Sequence, residues 1–164
     1  MKSNSAVVAI REIEEADAGP CAKMMQASEP WITLGTGIQA LLDVMRNPAR
    51  VRYVATVDGE LAGFVVVNTA APLSGYIQTI CVASGSRAQG IGRRLMEYAE
   101  ALIFRDSPNV FLLVSDFNAQ ARAFYEKLGY RQVGELPDFL IAGHGEVLMR
   151  KTRGPIRGYA RKSS

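Results

Sequence analysis

Arg87-Ala88-Gln89-Gly90-Ile91-Gly92 lies between an apolar run, Tyr76 to Ala83, and a periodic segment, Arg93 to Phe104. A strand, a glycine loop and a helix in that order make a cradle for an anion. Glycines let the backbone approach an anion closely. A helix that starts here also aims unpaired N–H groups and the positive end of its dipole at the same point. Two common phosphate motifs do not fit: Leu95 stands where a dinucleotide fingerprint needs its third glycine, and no Gly-Lys-Ser/Thr follows as a Walker loop requires. On these six residues alone, a helix started by glycines with no ligand fits equally well.

Working outward, Ala6 to Glu12 alternates as a first strand. Glu14 to Ala27 carries acids at its start and Ala18, Cys21, Met24 and Met25 at helical intervals, with Pro20 expected in the first turn. Ser28 to Gly37 reads as a loop holding Trp31, and Thr36 to Arg46 as a short helix stopped by Asn47-Pro48. Val51 to Val57, Asp58-Gly59 and Leu61 to Asn68 form a hairpin, because Asp-Gly suits a type I′ turn; Tyr76 to Val82 is the next strand.

Beyond the glycine loop, Ile91, Leu95, Ala99 and Leu102 share one helix face, and Val110 to Ser115 is a strand. Asn118 to Leu128 is a helix with Asn118 as N-cap and Gly129 at its end, and Tyr130 to Leu136 and Glu146 to Arg150 are the last strands. The order is βααβββαβαββ. Hairpin-linked strands followed by helical crossovers predict an α+β domain with a mixed, mostly antiparallel sheet flanked by helices, not a doubly wound parallel one.

Arg87, Gly90 and Gly92 resemble the Arg/Gln-x-x-Gly-x-Gly/Ala signature of the GNAT superfamily of acyl-CoA-dependent N-acyltransferases. Tyr76-Ile-Gln-Thr-Ile-Cys-Val82 looks like the strand before that signature. Asn118-Ala-Gln-Ala-Arg-Ala-Phe-Tyr125-Glu-Lys-Leu-Gly-Tyr130 looks like the superfamily's second, C-terminal motif. The likeness covers nearly the whole chain, although the first 70 residues match in pattern more than in specific residues. It implies acetyl-CoA as cosubstrate, in a V-shaped opening between the strand ending near Val82 and the strand Val110 to Ser115. Backbone of Cys81 and Val82 would pair with the pantetheine. Amides of Arg87, Ala88, Gln89, Gly90, Ile91 and Gly92 would hold the pyrophosphate, with Arg93 and Asn118 adding contacts. Homodimerisation is common in the superfamily and is the protein partnership the likeness brings.

Acetyl transfer to an amine needs a neutral nucleophile, a polarised carbonyl and a proton for the departing thiolate. Tyr125 is the candidate general acid, since the tyrosine of the second motif stands beside the CoA sulfur and a phenol of pKa about 10 can protonate a thiolate. The base does not carry over. Gln78 and Leu113 stand where relatives carry glutamate, so a water relay through Gln78, Thr79 or backbone carbonyls is expected. Glu29, Asp116 and His144 are further candidates; Cys81 reads as a small apolar filler, not a nucleophile. Trp31, Ile32, Leu34 and Tyr76 are candidates to line the acceptor pocket. A non-catalytic CoA-binding or ribosome-associated module is the alternative that the missing carboxylates suggest.

With 164 residues and 48% of them hydrophobic, the chain suits one domain, expected over residues 1–150. The net charge of +3 is unevenly placed: five of the 19 basic residues lie in 151–164 with no acid, leaving 14 against 16 acids before them. A basic, flexible tail over 151–164 is expected there. Apolar runs such as Phe64 to Val67 are too short to span a membrane, and Arg11 and Glu12 interrupt the start, so neither span nor leader is expected. Cys21 and Cys81 lack metal-ligand spacing, which points to free thiols, no metal and a cytoplasmic setting. Neither nucleic acid nor membrane is an expected partner.

Overall fold

A continuous apolar run such as Phe64 to Val67 sends large side chains to both faces of a sheet, and each buried face calls for helices. The computed structural model describes residues 6–70 and 73–160. Its strands are β1 (Val8–Glu12), β2 (Val51–Val57), β3 (Glu60–Asn68), β4 (Tyr76–Val82), β5 (Asn109–Ser115), β6 (Arg131–Leu136) and β7 (Glu146–Thr152). They form one sheet ordered β1-β2-β3-β4-β5-β7-β6, antiparallel except where β4 meets β5. Val54, Phe64, Val66 and Cys81 face one core with α1 (Glu15–Gln26) and α3 (Ile38–Arg46). Ala55, Val65, Val67 and Ile77 face the other with α4 (Ile91–Ile103) and Tyr125 of α5 (Ala119–Lys127).

The helix starts follow local chemistry. Glu14 and Asp17 cap α1 reciprocally, and Arg11 grips Asp17 with two hydrogen bonds at 2.7 and 3.0 Å. Helix α4 buries Ile91, Leu95, Met96, Ala99 and Ile103, each large side chain contributing about 1.5–3 kcal/mol. Its Glu100 is also buried, held by Tyr130 Oη at 3.0 Å and Lys151 Nζ at 2.7 Å. The Asp58-Gly59 turn has φ of 50° and 87°, as a type I′ hairpin requires.

Three expectations need correction. The expected Ser28–Gly37 loop contains a helical turn, α2 (Trp31–Leu34), so the order gains a helix; Trp31 packs on the α1 core and draws the segment into shape. Pro20 lies inside α1, not in its first turn, at the cost of one helical hydrogen bond. Strand β7 runs to Thr152, past the expected boundary at 150. Beyond it, the Arg153 guanidinium stacks 3.9 Å from the Phe104 ring centroid and Tyr159 Oη donates to the Phe104 carbonyl at 2.6 Å. Arg161, Lys162 and the two terminal serines of the expected tail lie outside the described residues.

Strand β4 carries the feature that positions the site. Val66 pairs with Thr79 and Val67 with Ile77, which leaves Gln78 as a bulge. Ile77 and Ile80 both pack toward α4, so Gln78 and Thr79 turn together to the opposite face. The bent strand then parts from β5: they pair only at Tyr76 with Phe111 and Ile77 with Leu112.

Candidate active site

Where β4 and β5 diverge, the β4 edge from Gln78 onward has no strand beside it. At the end of that edge the chain makes one turn and enters α4 through Gly90, whose φ of 77° is left-handed backbone that glycine adopts without strain. The first amide of α4 to find a backbone carbonyl is that of Arg94, which donates to Gly90 at 3.1 Å. Those of Ile91, Gly92 and Arg93 are the free N–H groups of the helix start, with no acidic side chain in the first turn and no side-chain cap. A Cβ on Gly92 would stand 3.2 Å from the Phe124 ring, so glycine here lets α5 close against α4.

These pieces line one cleft of ≈ 640 Å³, within the size range of cofactor sites. Cys81, Val82, Arg87, Ala88, Gly90, Ile91, Gly92, Arg93, Asn118 and Tyr125 all border it. Gln89 does not; its side-chain Nε2 donates to the Gly85 carbonyl at 3.1 Å. Arg87 reaches back to the Val82 carbonyl and to Ser28 Oγ, each at 3.3 Å, and so sets a cation at the mouth. Asn118 caps α5 by accepting from the Ala121 amide at 3.2 Å. Ser28, Gln120 and Lys127 also line the cleft and went unnoticed in the sequence, where isolated polar residues outside a motif carry no signal.

Tyr125 is the one buried residue of α5; Phe124 and Leu128 are only half-buried. Its ring packs against Phe124 and Tyr130 at 5.3 and 5.9 Å between centroids. Burial, with Tyr76 and Cys81 nearby, raises its pKa above the ordinary phenol value and keeps it a proton donor. Burial likewise raises the Cys81 thiol, so this side chain is no ready thiolate.

A second pocket of ≈ 170 Å³ adjoins the first, with Trp31 lining both. Leu34, Tyr76, Gln78, Thr79 and Leu113 border it as well, whereas Ile32, expected there, is exposed and lines neither. Gln78 Oε1 is taken by Arg50 Nε at 2.8 Å. The other base candidates are occupied. Glu29 accepts from Thr33 N at 3.2 Å and Oγ1 at 2.9 Å. Asp116 is bonded to Gly145 N at 2.7 Å and His144 Nδ1 at 3.0 Å, contacts that hold its carboxyl below the usual range.

The model of the acetyltransferase (GNAT) family matches residues 9–130. The chain belongs to this family. Among curated relatives of this GNAT domain, an uncharacterised N-acetyltransferase of Methanocaldococcus jannaschii is 31% identical over 65% of this chain and 69% of its own. A blasticidin-S acetyltransferase of Streptomyces morookaense is 31% identical over 53% of this chain and 63% of its own, so the match spans less than two thirds of that enzyme. The fold matches an aminoglycoside 6′-N-acetyltransferase complexed with coenzyme A at a TM-score of 0.72, 23% identity, and 90% and 98% coverage. It also matches the ribosomal-protein-S18-alanine N-acetyltransferase of Escherichia coli at 0.73, 18% identity, and 94% and 100% coverage. The protein is thus a GNAT acyltransferase with acetyl-CoA as its cosubstrate.

Proposed function

We propose that this GNAT domain moves the acetyl group of acetyl-CoA directly to a primary amine, with Tyr125 protonating the departing thiolate. One observation carries the reading: the free amides of α4, the unpaired β4 edge and the buried Tyr125 phenol line a single cleft. In that cleft the pyrophosphate lies on the amides of Arg87, Ala88, Gly90, Ile91 and Gly92, flanked by the Arg87 and Arg93 side chains. The pantetheine runs along Cys81 and Val82 as one more strand edge, beside Asn118, and ends at Tyr125. The acetyltransferase domain occupies 1–150, completed by the last residues of β7, and the basic segment from 151 follows it. Free, buried Cys21 and Cys81 support a cytoplasmic setting.

Thiol release from acetyl-CoA with a panel of amines tests the reading. Tyr125→Phe removes the proton and keeps the ring; it should lower kcat about 100-fold or more while acetyl-CoA affinity stays within a few-fold. Unchanged turnover across pH would remove Tyr125 as the acid. Saturable CoA binding with no release by any amine would favour a non-catalytic module instead.

A further inference from the structure

Of the buried carboxylates, Asp17 is paired with Arg11 and Glu100 with Lys151, whereas Glu146 has no cation bonded to it among the described residues. Glu146 opens β7 opposite Ser115, the last residue of β5, and is only 5% exposed. Its Oε1 accepts from Ser115 Oγ at 2.7 Å, and among the described residues that is its only hydrogen bond. The second oxygen, Oε2, therefore has no protein partner. Glu146 is the one charged side chain lining the pocket of ≈ 170 Å³, whose other walls combine apolar Trp31, Leu34, Leu113 and Phe139 with polar Gln78 and Thr79. Burying a carboxylate without a cation is costly, so a site built this way is completed by a positive charge from outside.

Tyr76 connects this pocket to the cofactor cleft. Its phenol, pushed up to about 12 by burial, lies within electrostatic reach of Glu146. It also lies within reach of Tyr125, on the other side of the parted strands. Glu146 also lines an adjoining depression of ≈ 350 Å³ with Asp116, Arg122, Glu135, Asp138 and His144; its one arginine, Arg122, is bonded to Glu126 and Gln132. Asp116 there is bonded to His144 and the Gly145 amide, Asp138 to the Gly143 amide and Glu135 to Gln132. Of these carboxylates Glu146 alone is buried, and it alone also borders the smaller pocket.

We infer that Glu146 receives the acceptor's ammonium group and takes its proton, and that the acceptor is a primary amine carried on a compact apolar or aromatic body. The inference rests on the acetyl-transfer reading. Ammonium gives one proton to Glu146; the neutral nitrogen attacks the thioester carbon, the C–N bond forms and the C–S bond breaks. Tyr125 gives its proton to the thiolate, and the second nitrogen proton restores the phenol. The net products are amide, thiol and one proton, which Glu146 passes to solvent. Burial and the nearby Asp116 raise the Glu146 pKa, which makes it a stronger base than an ordinary surface carboxylate.

Glu146→Gln keeps the shape and the Ser115 bond and removes the charge. With phenethylamine, and separately with a short peptide bearing an N-terminal phenylalanine, kcat/KM should fall about 100-fold or more. The acidic limb of the wild-type pH profile should disappear, Glu146→Asp should restore part of the rate, and acetyl-CoA affinity should not move. Whichever of the two amines is preferred identifies a free amine or a protein N-terminus as the source. Activity of Glu146→Gln within threefold of wild type would overturn the role, and preference for kanamycin or spermidine would overturn the acceptor class. Calorimetry with phenethylammonium and coenzyme A separates the two readings. Glu146-dependent binding without thiol release would sink acetyl transfer and leave the ammonium site standing, whereas equal binding by wild type and Glu146→Gln would sink the site.

Discussion

At the scale of single residues, Glu146 opposes the stability of the fold that holds it. Its pKa is raised in the folded chain by burial, so over the range from about 4.3, the ordinary glutamate value, up to its folded value the native state binds more protons than the unfolded one. Stability therefore falls as pH rises through that window, opposite to the behaviour of Asp17, whose pKa Arg11 lowers and whose contribution is lost as pH falls. Replacing Glu146 by glutamine removes the cost of the buried charge. The Glu146→Gln variant should melt at or above the wild-type temperature at pH 7.5, with no gain at pH 4, when thermal denaturation is followed at both values. A lower melting temperature at pH 7.5 would mean that the carboxylate is already paired inside the protein.

At the scale of elements, the Glu100 cluster fastens α4 to the sheet region beyond α5. Tyr130 and Lys151 satisfy one carboxylate oxygen each, so Lys151→Met leaves a buried carboxylate with a phenol alone. Lys151 is partly exposed, which lets water relieve some of the loss; urea unfolding should show a decrease of about 2 kcal/mol. Tyr130 and Glu100 were not legible as a pair because 30 residues separate them. What was legible is local. Asp58-Gly59 carries its own turn chemistry, Asn118 its own cap and residues 91 to 103 their own apolar period, and each element formed where it was read. Helix α2 has four residues and no side-chain cap and is held by Trp31 on a distant core, so no signal inside it announces a helix. The cofactor loop was visible as a motif. Glu146 was not, since its burial arises from a partner 31 residues earlier in the chain.

For the whole molecule, the larger cleft at the start of α4 and the smaller pocket beside α2 form two compartments that share Trp31, near where β4 and β5 part. Among the described residues, 153–160 line neither. Arg153 and Tyr159 pack instead on Phe104 at the far end of α4. Ending the chain after Thr152 should thus cost about 1–2 kcal/mol of stability in urea unfolding, from the lost cation–π and hydrogen-bond contacts, and leave kcat/KM unchanged. A loss of turnover greater than fivefold at a temperature where the shortened chain is fully folded would show that the basic segment serves the reaction.

The bulge at Gln78 makes the site depend on counting as much as on chemistry. Taking out that one residue would leave Ile77 and Thr79 on their present faces and let β4 continue straight beside β5, zipping shut the fork. Losing any single residue from Thr79 to Val82 instead would swap inside for outside along the remainder of the strand. Substitution in this strand edits the walls of the two compartments; a change of length decides whether there are two compartments at all.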